Sequence, residues 1–146
     1  MSEILFQGSS ALLLDGKGRV TVPARHRDDL AALCGSELTL TKHPSGCLAL
    51  FPRPVWVDFR SRLLQMPLSA ERWRRVYIGS AVNVEVDSGS RIPVSPELRK
   101  FAGLEKEVLL VGMGRRLELW DAARYEVDEG ETLASEPPQA IQDFVI

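Results

Sequence analysis

Apolar and polar positions recur along this chain in one order, twice. Ala11 to Leu14 is a short apolar run, which predicts a buried strand. Asp15-Gly16-Lys17-Gly18-Arg19 interrupts it, and Val20-Thr21-Val22-Pro23 follows. Further on, Val84, Val86, Ile92 and Val94 alternate with polar neighbours, the period-2 mark of a half-buried strand, and Asp87-Ser88-Gly89-Ser90-Arg91 lies between them. Gly16 and Gly18, and Gly89 in the second stretch, allow the positive φ of a tight turn. Asp15 and Arg19, like Asp87 and Arg91, are therefore expected on opposite arms of a hairpin near its tip.

The match continues past the tips. Ala24 to Leu33 reads as an amphipathic helix ending at Gly35, and Pro96 to Ala102 as a shorter one ending at Gly103. Ser95-Pro96-Glu97 is a strong helix start, a capping hydroxyl followed by Pro and an acid, whereas Pro23 replaces the cap in the first copy. Each copy then gives a strand pair. Glu37 to Thr41, a Pro44-Ser45-Gly46 turn and Cys47 to Phe51 match Val108 to Val111, a Gly112-Met113-Gly114 turn and Leu117 to Trp120. Both close on an aromatic helix opening, Phe51-Pro52-Arg53 to Trp56 against Trp120-Asp121 to Tyr125. The offset between copies drifts from 72 to 69 residues, as small loop insertions in a diverged duplication produce.

Between the copies, Val55, Trp56, Phe59, Leu63 and Leu64 recur at helical spacing and Pro67 breaks the pattern. Ser69 is placed to cap a second helix with Trp73, Val76 and Tyr77 inward and Arg72, Arg74 and Arg75 outward. Ala122 to Glu129 predicts a matching helix after the second copy. From Glu131 onward Pro137-Pro138 and polar residues suggest loose structure, with Ile141, Phe144, Val145 and Ile146 available to dock on a surface. The expected division is a first module over 6–52, linking helices over 53–79, a second module over 80–121, and a C-terminal helix with acidic tail over 122–146. Connections this short exclude the crossovers of a parallel sheet, so the fold class is α+β. A module of about 50 residues is marginal alone, so the copies are expected to stabilise each other.

Composition narrows the function classes. With 45% hydrophobic and 26% charged residues the chain reads as an ordinary soluble globular one. No apolar run approaches the ~18 residues of a membrane span, and the N-terminus lacks a signal-peptide pattern. Cys34 and Cys47 sit in apolar contexts, as buried reduced thiols of a cytoplasmic protein do. Two Cys and two His without paired short spacing do not make a zinc site, so no metal or other cofactor is expected. The net charge of −2 disguises an uneven distribution: no Lys or Arg follows Arg124, and removing the six acids beyond it takes the net charge to +4.

No catalytic constellation is present. The chain has no Ser-His-Asp spacing, no H-E-x-x-H and no phosphate-binding loop, since Gly16-Lys17-Gly18 lacks the required frame. His26 and His43 read as surface histidines beside basic neighbours. No enzyme and no small-molecule substrate are expected. The tips offer another chemistry. Asp15 and Asp87 can pair with Arg19 and Arg91 and accept backbone N–H groups, which organises each loop. Lys17 and Arg19 can then project to phosphates or base edges, since a two-stranded ribbon fits the DNA major groove and Arg reads guanine through two hydrogen bonds. The first copy is the better reader, with Lys17, Arg19, Arg25, His26 and Arg27 within eleven positions. The second offers Arg91, Arg99 and Lys100. So few contacts per subunit call for many subunits in a row.

These residues carry a resemblance. Leu14-Asp15-x-Lys17-Gly18-Arg19-Val20-Thr21-Val22-Pro23, Leu40-Thr41-Lys42-His43-Pro44, Cys47-Leu48-x-Leu50-Phe51-Pro52, Trp73-Arg74-Arg75 and Asp87-x-x-x-Arg91-Ile92-x-Val94, in that order, resemble the MraZ family of bacterial transcriptional regulators, encoded at the head of the division and cell-wall gene cluster. The likeness runs from roughly Phe6 to Tyr125, after an N-terminal extension at Met1 to Ile4. It implies two swapped-hairpin, AbrB-like β-barrel modules with short flanking helices. It also implies a nucleoid-associated, ring-shaped homo-oligomer that binds short G-rich direct repeats in double-stranded promoter DNA and represses or otherwise regulates that cluster, its own promoter included. On the matching positions, the DNA-facing residues are Arg19 with Lys17 beside it and Arg91 as the second-copy partner, with Asp15 and Asp87 as organisers. The second loop lacks a Lys, so the first is expected to dominate. A different class, an AbrB-like antitoxin or protein-interaction module, would work through the acidic segment from Glu126 to Ile146.

Overall fold

The computed structural model describes residues 4–144. The expectations for Met1 to Glu3 and for Val145 and Ile146 fall outside the described residues. In chain order the elements are β1 (Ser9–Leu13), β2 (Arg19–Thr21), α1 (Ala24–Cys34), β3 (Glu37–Lys42), β4 (Leu48–Pro52), α2 (Arg53–Leu64), a 3-10 turn (Leu68–Ala70), α3 (Glu71–Tyr77), β5 (Val82–Glu85), β6 (Arg91–Pro93), α4 (Pro96–Ala102), β7 (Glu107–Gly112), β8 (Leu117–Asp121), α5 (Ala122–Ala134) and α6 (Gln139–Gln142). This is a mixed α+β fold with an antiparallel sheet.

The sheet interleaves the two copies. Six strands run in the order β1-β7-β8-β4-β3-β5, all antiparallel, and β2 and β6 form a separate two-stranded ribbon. β1 of the first copy pairs with β7 of the second, Ala11 opposite Leu109. β5 of the second pairs with β3 of the first, Leu38 opposite Val84. β2 pairs with β6 around Val20 opposite Ile92. The strands that flank each Asp-x-x-x-Arg turn thus ladder with strands of the other copy, not with each other as two arms of one hairpin.

Strand alternation places the core. Leu38, Leu40, Leu48, Leu50, Val108, Leu110, Leu117 and Leu119 face one side of the sheet, where they bury against Val20, Val22, Ile92, Val94, Leu30 and Leu98 from the ribbon, α1 and α4. The other phase of β4, Ala49 and Phe51, meets Val55 and Trp56 of α2. Thr39 and Thr41 share that second face and are fully buried, so each needs a partner: Thr39 accepts from Arg53 Nε at 3.0 Å and Thr41 donates to the Tyr77 carbonyl. Arg53 also reaches the carbonyls of Leu38 and Val84, tying β3 to β5.

Several local expectations are corrected. β1 is an edge strand with Leu13 and Ala11 exposed, because only one of its faces meets the core. α3 is preceded by a 3-10 turn with no side-chain cap from Ser69. Trp73 is half exposed, and Arg74 turns inward instead, donating to the carbonyls of Leu63 and Met66 that end α2. α5 continues through Gly130 to Ala134 where loose structure was expected from Glu131. Helix boundaries follow the sequence more closely: Ser95 caps α4, and Gly35 and Gly103 end α1 and α4 with φ of 58° and 61°.

His26 is buried, not a surface residue. It stands where the second copy has Leu98, edge-on to Phe6, and its Nε2 has no hydrogen-bond partner. Burial holds its pKa below the ordinary 6.5, so the neutral ring belongs to the folded state. Its contribution is intact above the unfolded value and is lost as pH falls through 6.5 toward the folded one. His26→Leu, which copies Leu98, is expected to stabilise the fold by about 1–3 kcal/mol, with a larger gain at pH 5 than at pH 8. Urea unfolding at both pH values checks this, and equal stability of the two proteins throughout would refute it.

Candidate nucleic-acid interface

Each Asp-x-x-x-Arg turn is built around its carboxylate. Asp15 Oδ1 accepts the backbone N–H groups of Lys17 and Arg19, both at 2.9 Å, and Oδ2 accepts Arg19 Nε at 2.9 Å. The backbone closes the turn, Asp15 N donating to the Arg19 carbonyl and Gly18 N to that of Asp15. Asp87 repeats the arrangement with Gly89 N, Arg91 N and Arg91 Nε, the last at 3.1 Å from Oδ2. The Arg19 and Arg91 backbone amides are the chief reason that both carboxyls titrate below the usual carboxylate value of 3.8.

The turns differ at their fourth position. Gly18 sits at φ 75°, and its counterpart Ser90 takes the same left-handed conformation at φ 61°. The positive φ thus falls on Gly18 and Ser90, not on Gly16 or Gly89. Only glycine enters that region freely; a side chain there costs about 1–2 kcal/mol. A second constraint acts on Gly18: the guanidinium of Arg99, from the second copy, fills the space a Cβ would need.

The ribbon brings the turns together. Arg19 lies opposite Pro93 and Arg91 opposite Thr21. Val20 and Ile92 point into the core, so by strand alternation Arg19, Thr21, Arg91 and Pro93 share the outer face. Two guanidiniums therefore stand on one outer face, one strand spacing apart and about 7 Å along the strand direction. The carboxylates engage them through Nε, and among the described residues their terminal amines have no hydrogen-bond partner. Lys17 projects from the first turn, exposed.

The other basic candidates are exposed but tethered. Arg25 donates to Ser10 Oγ at 2.5 Å and lies over Gly8, and Arg27 Nε donates to the Val22 carbonyl at 2.9 Å. Lys100 is exposed at the end of α4. The structure thus gathers Lys17, Arg19, Arg91 and Arg99 about the ribbon and leaves Arg25 beside β1. Arg99 as a neighbour of the first turn was hidden in the sequence, since only the exchange of strands brings it there.

A second polar group escaped the sequence reading. The ligating atoms of His43, Cys47 and Glu118 lie within 4.8 Å of one another on the second face of the sheet. Glu118 is buried at the centre of Leu117-Glu118-Leu119, on the face opposite the core leucines, where simple strand alternation reads as an exposed polar position. Its carboxylate accepts Arg116 at 2.9 Å and Trp120 Nε1 at 3.0 Å. His43 is half-buried, Nδ1 accepting from Ser45 N and Nε2 lying 3.8 Å from Glu118, which corrects its reading as a surface residue. Burial lowers the His43 pKa and raises that of the Cys47 thiol. These donors are a metal-capable set, but a neutral thiol and a guanidinium already on the carboxylate make it a charge-neutralised junction as it stands. Cys34 is half-buried and its thiol is likewise raised by burial. Among the described residues no helix is long and apolar enough to cross a membrane.

Fold and site define a duplicated α+β protein whose copies exchange strands and present two like basic turns on one ribbon. A family model described as "MraZ protein, putative antitoxin-like" matches the chain twice, over residues 5–78 and 77–142. The chain is 58% identical over 144 residues to the transcriptional regulator MraZ of Leptothrix cholodnii and 56% identical to that of Methylibium petroleiphilum, each alignment covering 99% of both chains. It is 54% identical to the protein of that name from Delftia acidovorans, over 96% of this chain and 99% of the relative. The chain belongs to the MraZ family.

Because the backbone amides of Arg19 and Lys17 lower the pKa of Asp15 independently of the guanidinium, Arg19→Ala should leave that carboxyl still below its ordinary value. Carboxyl titration by NMR checks this, and a return of Asp15 to the ordinary value on losing the guanidinium would overturn it. Gly18→Ala should destabilise by about 1–2 kcal/mol and Ser90→Gly should gain up to about 1 kcal/mol, both read by denaturant unfolding.

Proposed function

We propose that this protein is a sequence-specific DNA-binding transcriptional regulator, acting as a repressor of the division and cell-wall gene cluster and its own promoter. The observation that carries the reading is the pair of guanidiniums, Arg19 and Arg91, held by Nε on one outer face of a two-stranded ribbon, their terminal amines without a hydrogen-bond partner among the described residues. A ribbon of this kind fits the major groove, and pinning through Nε leaves the two amines that address guanine O6 and N7. Lys17 and the tethered Arg25 and Arg27 add phosphate contacts. Asp15 and Asp87 hold the loops in shape before DNA arrives, which removes ordering cost at binding. Relatives named transcriptional regulators over essentially their full length support the same reading.

One chain contributes few contacts, so useful affinity comes from a ring-shaped homo-oligomer engaging short G-rich direct repeats. We place it in the cytoplasm, on the nucleoid. The protein-interaction alternative, an antitoxin-like module, draws on the exposed acidic α5, and a size measurement separates the two: a ring of many subunits against a dimer.

Fluorescence anisotropy on a duplex from upstream of its own gene, against a scrambled duplex at two salt concentrations, tests the reading. Tight binding to the native duplex, weakening steeply with salt, is expected. Arg19→Ala should abolish that binding with the fold intact, and Arg91→Ala should weaken it less. Equal, weak binding to both duplexes, or unfolding of the Arg19 variant, would refute direct readout by the tips.

A further inference from the structure

His43, Cys47 and Glu118 take no part in the chemistry of the ribbon, and the fold brings them together from both copies. His43 and Cys47 face each other across the turn between β3 and β4, the His43 amide donating to the Cys47 carbonyl at 3.0 Å. Glu118 comes from β8 in the second copy. Its register partner on β4 is Ala49, two residues from Cys47, and residues two apart on a strand share a face. One imidazole, one thiol and one carboxylate thus meet on the side of the sheet away from the ribbon, their ligating atoms within 4.8 Å of one another. The expectation of no metal rested on spacing along the chain, and the third donor is far from the other two in sequence.

The donors suit one class of ion. Tetrahedral zinc takes thiolate, imidazole and carboxylate at about 2.0–2.3 Å, which sets its ligand atoms about 3.3–3.8 Å apart. His43 Nε2 and Glu118 Oε2 already lie 3.8 Å apart, so closing the whole set takes movements of about 1 Å. Trp120 Nε1 donates to Oε1 at 3.0 Å and leaves Oε2 to face His43. Arg116 satisfies Oε2 at 2.9 Å, a cation on the oxygen that a metal would use. Its side chain is partly exposed and its buried Nε has no hydrogen-bond partner, so turning it to solvent gives up little beyond that one contact. Charge decides whether the exchange is tolerable. Carboxylate and guanidinium cancel beside a neutral thiol and imidazole. A divalent ion with one thiolate and one carboxylate also sums to zero, so the exchange leaves no net charge in a buried place.

We propose that His43, Cys47 and Glu118 form a zinc site, three protein ligands with water in the fourth position. As the ion binds, the Cys47 S–H bond breaks and its proton leaves to solvent. The sulfur, His43 Nε2 and Glu118 Oε2 each give an electron pair to the metal. Nε2 is freed by moving its proton to Nδ1, which releases the Ser45 amide to water. His43 is the half-buried member of the set and gives the ion its way in. The bound ion ties the β3–β4 turn of the first copy to β8 of the second, a cross-link where the two strand pairs meet in the sheet. Because it binds the folded chain alone, it stabilises that state by mass action. Lys17, Arg19 and Arg91 lie on the other side of the sheet and are untouched by it.

Metal titration of the full chain tests the site. Added Co²⁺ should give ligand-field bands in the visible and a thiolate-to-cobalt band in the near ultraviolet, both bleached by Zn²⁺. Competition against a chromophoric chelator should give one zinc per chain. Cys47→Ser should remove the thiolate band, and His43→Gln and Glu118→Gln should weaken zinc binding by on the order of 100-fold or more. Cys34→Ser, which alters the other thiol, should bind as the parent does. Arg116→Gln, which takes the competing cation off Oε2, should bind several-fold more tightly. Zinc should raise the Tm of the parent and leave that of Cys47→Ser where it was, with circular dichroism confirming that the variants fold. A parent whose cobalt spectrum lacks the thiolate band would overturn the proposal without recourse to any variant. So would a band that survives Cys47→Ser and vanishes in Cys34→Ser, or zinc affinity unchanged in both His43→Gln and Glu118→Gln.

Discussion

Val20 faces Ile92 across the ribbon, and the position of both basic turns follows from that one pairing. It joins residues 72 apart, related by the duplication, and so defines a local two-fold axis. The amide of Val22 donates to the Ser90 carbonyl at 2.7 Å, and the amide of Val94 donates to the Gly18 carbonyl at 2.8 Å. These bonds run from each strand to the base of the other copy's turn. Each tip is thus held by the opposite module, and Arg19 and Arg91 are displayed with a spacing that no flexible loop could set. The apolar inner face of the ribbon then caps the sheet, so that residues of both copies make one core.

The elements were largely legible in the residues. Ser95-Pro96 and the paired Gly35 and Gly103 marked helix ends because capping and left-handed geometry are local chemistry. The strand pairs 37–41 with 47–51 and 108–111 with 117–120 were legible because alternation and short turns are local too. Strand partnership was not. Nothing in Ala11 to Leu14 says that its neighbour is β7, so the run read as buried when it is an edge. Trp73 and Arg74 were transposed for a related reason: a helical wheel assigns the apolar residue inward, yet the carbonyls ending α2 needed donors that Arg74 could supply.

The candidate site divides in the same way. Asp15 with Arg19 and Asp87 with Arg91 came from spacing alone, since four residues around a turn is a local distance. Arg99 beside Gly18, and Glu118 beside His43 and Cys47, depend on contacts between copies and had no signature along the chain. His26 was drawn into the basic cluster by its sequence neighbours, whereas the helix turned it toward Phe6.

The pairing of β1 with β7 has a consequence for biosynthesis. Ser9 finds its partner in Val111, so one of the first strands to leave the ribosome has nothing to pair with until nearly the whole chain has emerged. Its hydrogen-bonding edge and the apolar face of Leu12 stay open through most of translation, as does the half of β3 that awaits β5. Contacts of such long sequence separation form slowly because loop closure precedes any gain. Assembly of the native state is therefore post-translational in character, and the interval in which open strand edges can meet those of another nascent copy is set by elongation time, not by the stability of the finished fold.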